Sequence, residues 1–197
     1  MEIIDRVKNI LVSPKTEWPT IEEENAPHAK VFTTYVVLLA LIPAVAAFIG
    51  YGLIGYSVFG VRVGSISMGI SQAITQYLLM LGGIYLTAYI INVLAEKFGA
   101  TKDFDRAFSL VAYSYTPMFV AGVFYILPKL SWLAGLAGLY GLYLLYIGLQ
   151  PMMKVPAEKN TSYFVVSLIV TIAVSVVLSL ILGGILGAIL VGSRLGF

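Results

Sequence analysis

Uninterrupted apolar runs, with no strand-like alternation, occupy most of the chain between residues 31 and 191. Five stretches, Val31–Tyr56, Gly69–Ala95, Ser109–Leu127, Trp132–Gln150 and Tyr163–Val191, contain no Asp, Glu, Lys, Arg or His. A helix crossing the hydrocarbon core of a bilayer needs about 20 residues, so each stretch is predicted to span a membrane. The pattern changes before the first span. Ile3, Ile4, Val7, Ile10 and Leu11 share one helical face, with Asp5, Arg6, Lys8 and Asn9 opposite. That spacing predicts an amphipathic helix, placed at the membrane interface or packed on the loops. Pro14 is expected to stop it. The segment SPKTEWP follows, with Trp18 in the role of a headgroup-depth anchor. Glu22, Glu23 and Glu24 read as a solvated approach to the first span. The predicted fold is all-α: a polytopic five-helix transmembrane bundle (residues 31–197) preceded by a short arm (residues 1–30) with an amphipathic helix.

Charge sets the expected orientation. Arg6, Lys8, Lys15, Lys30, Lys97, Lys102, Arg106, Lys154 and Lys159 fall on the N-terminal side of the five-span arrangement, and Arg62, Lys129 and Arg194 on the other. Nine against three predicts a cytoplasmic N-terminus and a C-terminus outside or in the lumen. No secretory signal pattern opens the sequence, and the first span is expected to act as its own insertion signal. Only 11% of residues are charged and the net charge is +2, so the positive residues read as topology anchors and no nucleic-acid partner is expected.

Candidate chemistry is sparse. There is no cysteine, which removes disulfides, thiolate catalysis and cysteine metal sites. The one histidine, His28, stands in the arm and reads as a solvated residue. No HExxH, GxSxG or phosphate-cradling glycine loop is present. These features predict no enzyme activity, no cofactor and no metal. A coupled transporter would be expected to carry ionisable groups at mid-membrane; the spans instead hold hydroxyls and amides.

Those polar groups permit two readings. Interhelical hydrogen bonding is the common use of such side chains. Alternatively Gln76, Asn92, Tyr113, Ser114 and Tyr140, beside a kink at Pro117, form a seam lining a path for a neutral or lipid-like substrate. Pro43 and Pro117 are expected to face the bundle interior, where freed carbonyls find partners. Gly135, Gly138 and Gly141, with the GxxxG pairs Gly183/Gly187 and Gly192/Gly196, predict close helix packing. Homo-oligomerisation stays open beside intramolecular packing. The 13 tyrosines, among them Tyr77, Tyr85 and Tyr89 on one face, need partners for their hydroxyls.

Three segments, RVKNILVSPKTEW (Arg6–Trp18), FDRAFSLVAYSYTP (Phe104–Pro117) and GLYGLYLLYIGL (Gly138–Leu149), together resemble the prokaryotic branch of the Yip family, the Ypt/Rab-interacting integral membrane proteins. The resemblance implies five helices, a cytoplasmic N-terminus and a non-catalytic membrane role. Eukaryotic members are linked to Rab GTPases and vesicle traffic, and their long N-terminal region is thought to matter for partner contact. The arm of about thirty residues here leaves no room for such a region, so that role is not carried over. The expected function is that of a membrane-organising or adaptor protein contacting the lipid bilayer and an unidentified membrane or cytoplasmic protein. Its expected partner surface comprises Arg6, Lys8, Trp18, Asp103, Asp105 and Arg106. A channel or transporter along the polar seam is the alternative, and lipid binding or reshaping by the amphipathic arm a third reading.

Overall fold

A computed structural model describes residues 2–59 and 61–195, with side chains left aside from 178 onward and at positions 58 and 62. Two short helices, α1 (Ile3–Val12) and α2 (Pro14–Glu24), precede the spans. The spans are α3 (His28–Ile54), α4 (Ile66–Phe98), α5 (Phe104–Ile126), α6 (Pro128–Met153) and α7 (Ala157–Leu195). All five are long and apolar enough to cross a membrane. Each extends beyond its apolar run into flanking polar residues, because backbone hydrogen bonding continues until a cap or proline ends it. Asp103 caps α5, its side chain accepting from the Arg106 amide at 3.2 Å, and Ser65 caps α4 in the same way. An antiparallel hairpin of three-residue strands, β1 (Tyr56–Val58) and β2 (Val61–Val63), joins α3 to α4 on the side away from the arm.

The fifth span is the longest helix and the third, α5, is the axis of the bundle. Every residue from Ala107 to Ser114 is buried, so α5 has no lipid-facing side over two turns. Around it stand Ile84 and Ile91 of α4 and Leu144 and Leu149 of α6, and Tyr163 of α7 joins the same core against α4. Outward faces carry large exposed apolar residues, among them Leu78, Leu79, Leu136, Leu139, Ile169 and Ile172. This is the surface a bilayer solvates. Pro43 is buried against Gly122, and Pro117 is buried just past the break at Tyr115.

The arm, expected at the membrane interface or packed on the loops, is packed on the spans themselves. Its α1 helix packs into the bundle, with the Tyr140 hydroxyl donating to the Leu11 carbonyl at 2.8 Å. Tyr140 lies about 20 Å along α6 from Met153, at a rise of about 1.5 Å per residue. The segment PKTEWP and the glutamates after it form the helix α2. Proline at its first position costs nothing there, since that amide has no partner in any helix. Ile10, Trp18 and Ile21 of the arm belong to the same apolar core as the spans.

Two glycines make room. Gly141 lets the Ser114 carbonyl of α5 approach α6, where a Cβ would stand 2.7 Å from that oxygen. Gly148 receives the Trp18 indole, where a Cβ would lie 2.5 Å from Cε2. Gly135 and Gly138, predicted to pack with Gly141, have nothing nearer than an ordinary contact. The Gly183/Gly187 and Gly192/Gly196 pairs lie outside the residues whose packing is described.

Overpacking a filled site typically costs about 1–3 kcal/mol. Gly148→Leu is therefore expected to lower the melting temperature and to speed tryptic cleavage of the loosened arm, at buried Arg6 above all. Gly135→Leu, which meets open space, should leave both readouts unchanged.

Candidate functional site

Charge collects where the arm meets the bundle. Arg6, only 4% exposed, projects from the buried face of α1 toward α2. Its Nη1 donates to Glu17 and its Nη2 to Glu24, each at 2.5 Å. Glu17 and Glu24 are seven residues apart on α2, two helical turns, so both face α1. The guanidinium also lies 5.5 Å from the centre of the Tyr113 ring, a cation–π distance. Tyr113 in turn meets Tyr35 edge-on at 4.7 Å, and the Tyr35 hydroxyl is hydrogen-bonded to Thr116 Oγ1 at 2.7 Å. Beside these groups is a cavity of about 190 Å³ lined by Arg6, Glu24, Lys30, Thr34, Tyr35 and Tyr113.

A second latch closes the end of the bundle. Arg106 of α5 donates to Glu22 at 2.6 Å, and Lys154, just past α6, reaches the same oxygen at 3.0 Å. The Arg106 hydrogen bond, followed by that from Lys154, holds the Glu22 carboxyl below its ordinary pKa. A third contact joins the start of α3 to the start of α5. Asp105 Oδ1 accepts from the His28 backbone amide at 2.7 Å and lies 2.5 Å from His28 Nδ1. The Phe104 and Phe108 rings pack edge-on against the imidazole. His28 is thus a clamp residue, with its side chain still 40% exposed. Two of the three consecutive glutamates are ion-paired, and Glu23 is exposed.

The residues predicted as a partner surface divide accordingly. Arg6 and Trp18 are buried, at 4% and 1% exposure, and cannot form a surface. The reason is the hairpin: Pro14 turns α2 back against α1, and both side chains point into the seam with α5 and α6. Trp18 packs on Gly148 and Leu110, so it is not the headgroup anchor its proline neighbour suggested. Asp103, Asp105 and Arg106 are half-buried in the latches, and Lys8 is exposed.

The polar seam is distributed differently from its predicted path. Gln76 donates to the Tyr125 hydroxyl at 3.4 Å. Ser114 donates to Leu110 within its own helix at 2.7 Å, and Tyr140 donates to the arm. Tyr113 lies against Arg6, and Pro117 is buried at the break in α5. Asn92 Oδ1 is buried without a partner, as are Ser167 Oγ and Thr171 Oγ1. Among the described residues no group of three or more His, Asp or Glu side chains is arranged to hold a metal ion. Sequence reasoning gave Glu17, Glu22, Glu24, His28 and Lys154 no role at this site. The seven-residue spacing of Glu17 and Glu24 was the available signal for two of them.

The Yip1 domain model matches residues 8–192, from within α1 to near the end of α7. The chain belongs to the Yip1-domain family. Two curated relatives are the inner membrane protein YohC of Escherichia coli (strain K12) and that of Escherichia coli O6:H1 (strain CFT073). Each is 27% identical over 132 residues, covering 66% of this chain and 67% of the relative. No solved structure matches the chain. The family match takes in α2 and the second half of α1 with the spans, consistent with the arm's place in the core of this Yip1-domain protein.

The latch sets a pH dependence. A carboxylate whose pKa is depressed on folding adds stability above its unfolded pKa of about 4.3 and loses it as pH falls through the lower folded value. Thermal melts of wild type and Glu22→Gln should differ at about pH 7, with wild type higher, and converge toward about pH 3. A constant difference across that range would show that the charge on Glu22 does not act.

Proposed function

We propose that this Yip1-domain chain is a non-catalytic membrane-organising or adaptor protein of a prokaryotic inner membrane, with a cytoplasmic N-terminus. The curated relatives' name as inner membrane proteins and the nine-to-three charge distribution support that placement. The observation that carries the role is the held arm. Ion pairs fix α2 to α1, α5 and the end of α6, and the outer face of α1 is left open. Ile4 and Val12 are each 74% exposed, with exposed Lys8 between them at steps of four residues. An apolar–cation–apolar stripe on a rigid helix suits a partner helix or groove with a carboxylate at its centre.

The alternative, a conduit for a neutral or lipid-like substrate, draws on the unpartnered Asn92, Ser167 and Thr171 oxygens of α4 and α7. It predicts that Asn92→Leu abolishes a measurable flux with the melting temperature unchanged.

A photoactivatable crosslinker at position 8, in otherwise wild-type protein in cells, is expected to capture a defined protein. Adding Val12→Asp should reduce that adduct about tenfold, the effect of losing a central contact, while the melting temperature holds. If deletion of residues 1–30 leaves every associated protein unchanged, the adaptor role is wrong.

A further inference from the structure

The cavity of about 190 Å³ between the arm, α3 and α5 borders an unbalanced charge. One guanidinium, Arg6, stands against two carboxylates, Glu17 and Glu24, so the cluster keeps a surplus negative charge. Glu17 is enclosed, but the Glu24 side chain is 40% exposed and lines the cavity. Arg6 Nη2 reaches both Glu24 oxygens, and a carboxylate has about four acceptor sites. Glu24 therefore has acceptor capacity to spare on its open side. Tyr113 adds a second group. It is 7% exposed, and its hydroxyl, unlike that of Tyr35, has no hydrogen-bond partner among the described residues. That oxygen is not one of the atoms sealed inside the protein, so it keeps accessible surface on the cavity its residue lines. A polar group left unpaired in so buried a residue calls for an explanation. Lys30 stands exposed at the rim, with no ion-pair partner among the described residues.

The cavity thus presents acceptors inside and a cation at its mouth. The complementary occupant is a zwitterion, with N–H donors directed inward and an anion held at the rim. What lies beside the cavity narrows the class. From Thr34, also at the rim, α3 runs on at steps of four residues through exposed Leu38 and Ile42. There it reaches a groove of about 340 Å³ between α3 and α5, walled by Ile42, Val45, Ile49, Val123 and Ile126. Ile42 and Ile49 lie about 12 Å and about 22 Å along α3 from Thr34, at about 1.5 Å per residue. That reach covers the depth of one leaflet's hydrocarbon, about 15 Å. A polar cavity and an apolar groove in series along one helix fit the headgroup and an acyl chain of a single molecule.

We propose that this cavity binds the headgroup of a zwitterionic glycerophospholipid with a primary ammonium, of the phosphatidylethanolamine type, with an acyl chain laid in the α3–α5 groove. The ammonium donates to Glu24 and to the Tyr113 hydroxyl, and Lys30 pairs with the phosphate. A choline headgroup has the charges but no N–H donor. The Tyr113 ring face that could hold a quaternary ammonium is already taken by Arg6. A glycerol headgroup supplies donors but leaves the surplus carboxylate charge without a cation. The site stands or falls separately from the adaptor role, since it uses the inner face of the arm and not the outer face at Lys8.

The test is native mass spectrometry of the full chain in mild detergent, with dioleoyl phosphatidylethanolamine, phosphatidylcholine or phosphatidylglycerol added in turn. Phosphatidylethanolamine should be retained in preference to the other two. Tyr113→Phe, which keeps the ring beside Arg6, should reduce its retention about tenfold, as expected for losing a hydrogen bond to a charged group. Lys30→Gln should reduce it about fivefold, the scale of a partly solvated ion pair. Lys30 is exposed, so its variant keeps the fold and isolates the effect. Equal retention of the three lipids, full retention by either variant, or displacement of the lipid by soluble phosphoethanolamine at equal concentration would overturn the proposal.

Discussion

A guanidinium buried between two carboxylates governs how this chain assembles. Arg6 cannot shed its proton, and desolvating it is costly unless its donors are met. Glu17 is buried with it, while Glu24 keeps one side toward solvent. Removing one member of such a buried pair typically costs about 3–5 kcal/mol, because the survivor stays charged. The pair is therefore weak evidence for net stability but strong evidence for geometry. It demands that α1 and α2 fold back on each other, and the Tyr113 ring completes the enclosure from α5. Once the hairpin is set, Trp18 has one place to go, the notch at Gly148. The arm is thereby a wall of the membrane bundle.

Docking of the arm also explains the polar residues inside the spans. Tyr140 in the middle of α6 satisfies a carbonyl of α1, and Tyr113 faces the guanidinium. Tyr163 donates to the Ile91 carbonyl across α7 and α4 at 2.5 Å, and Tyr77 to Val37 across α4 and α3 at 3.3 Å. Four tyrosines thus do the joining work that hydrophobic burial cannot do between helices already surrounded by lipid. The arm-side end is closed by ion pairs drawn from α2, α5 and the residue after α6, and by the hydrogen bonds between His28 of α3 and Asp105. Charges that looked like topology anchors serve also as fasteners.

The five spans and the family were legible because length and apolarity suffice to specify a membrane helix. What could not be read was the arm. Paired prolines at 14 and 19 disguise a helix, since one stands at a first position and the other within it. Trp18 beside Pro19 has the composition of an interface anchor, and only the notch at Gly148, 130 positions away in sequence, shows otherwise. The His28–Asp105 and Arg106–Glu22 contacts join residues far apart in the chain, and helical periodicity carries no information across such separations. The partners of the seam residues were hidden for the same reason: facing positions on single helices do not say which neighbour, arm included, will meet them.

The claim on which the rest depends is that the arm is docked in the membrane-embedded protein. The chain has no cysteine, so spin labels at Lys15→Cys and Gln150→Cys report without background. These positions line opposite sides of one groove and leave the buried contacts intact. In proteoliposomes, continuous-wave spectra should show strong dipolar broadening from a single short distance, abolished when either label is diluted with a diamagnetic analogue. Unbroadened spectra, with a wide spread of long distances, would mean a free arm and would contradict the account.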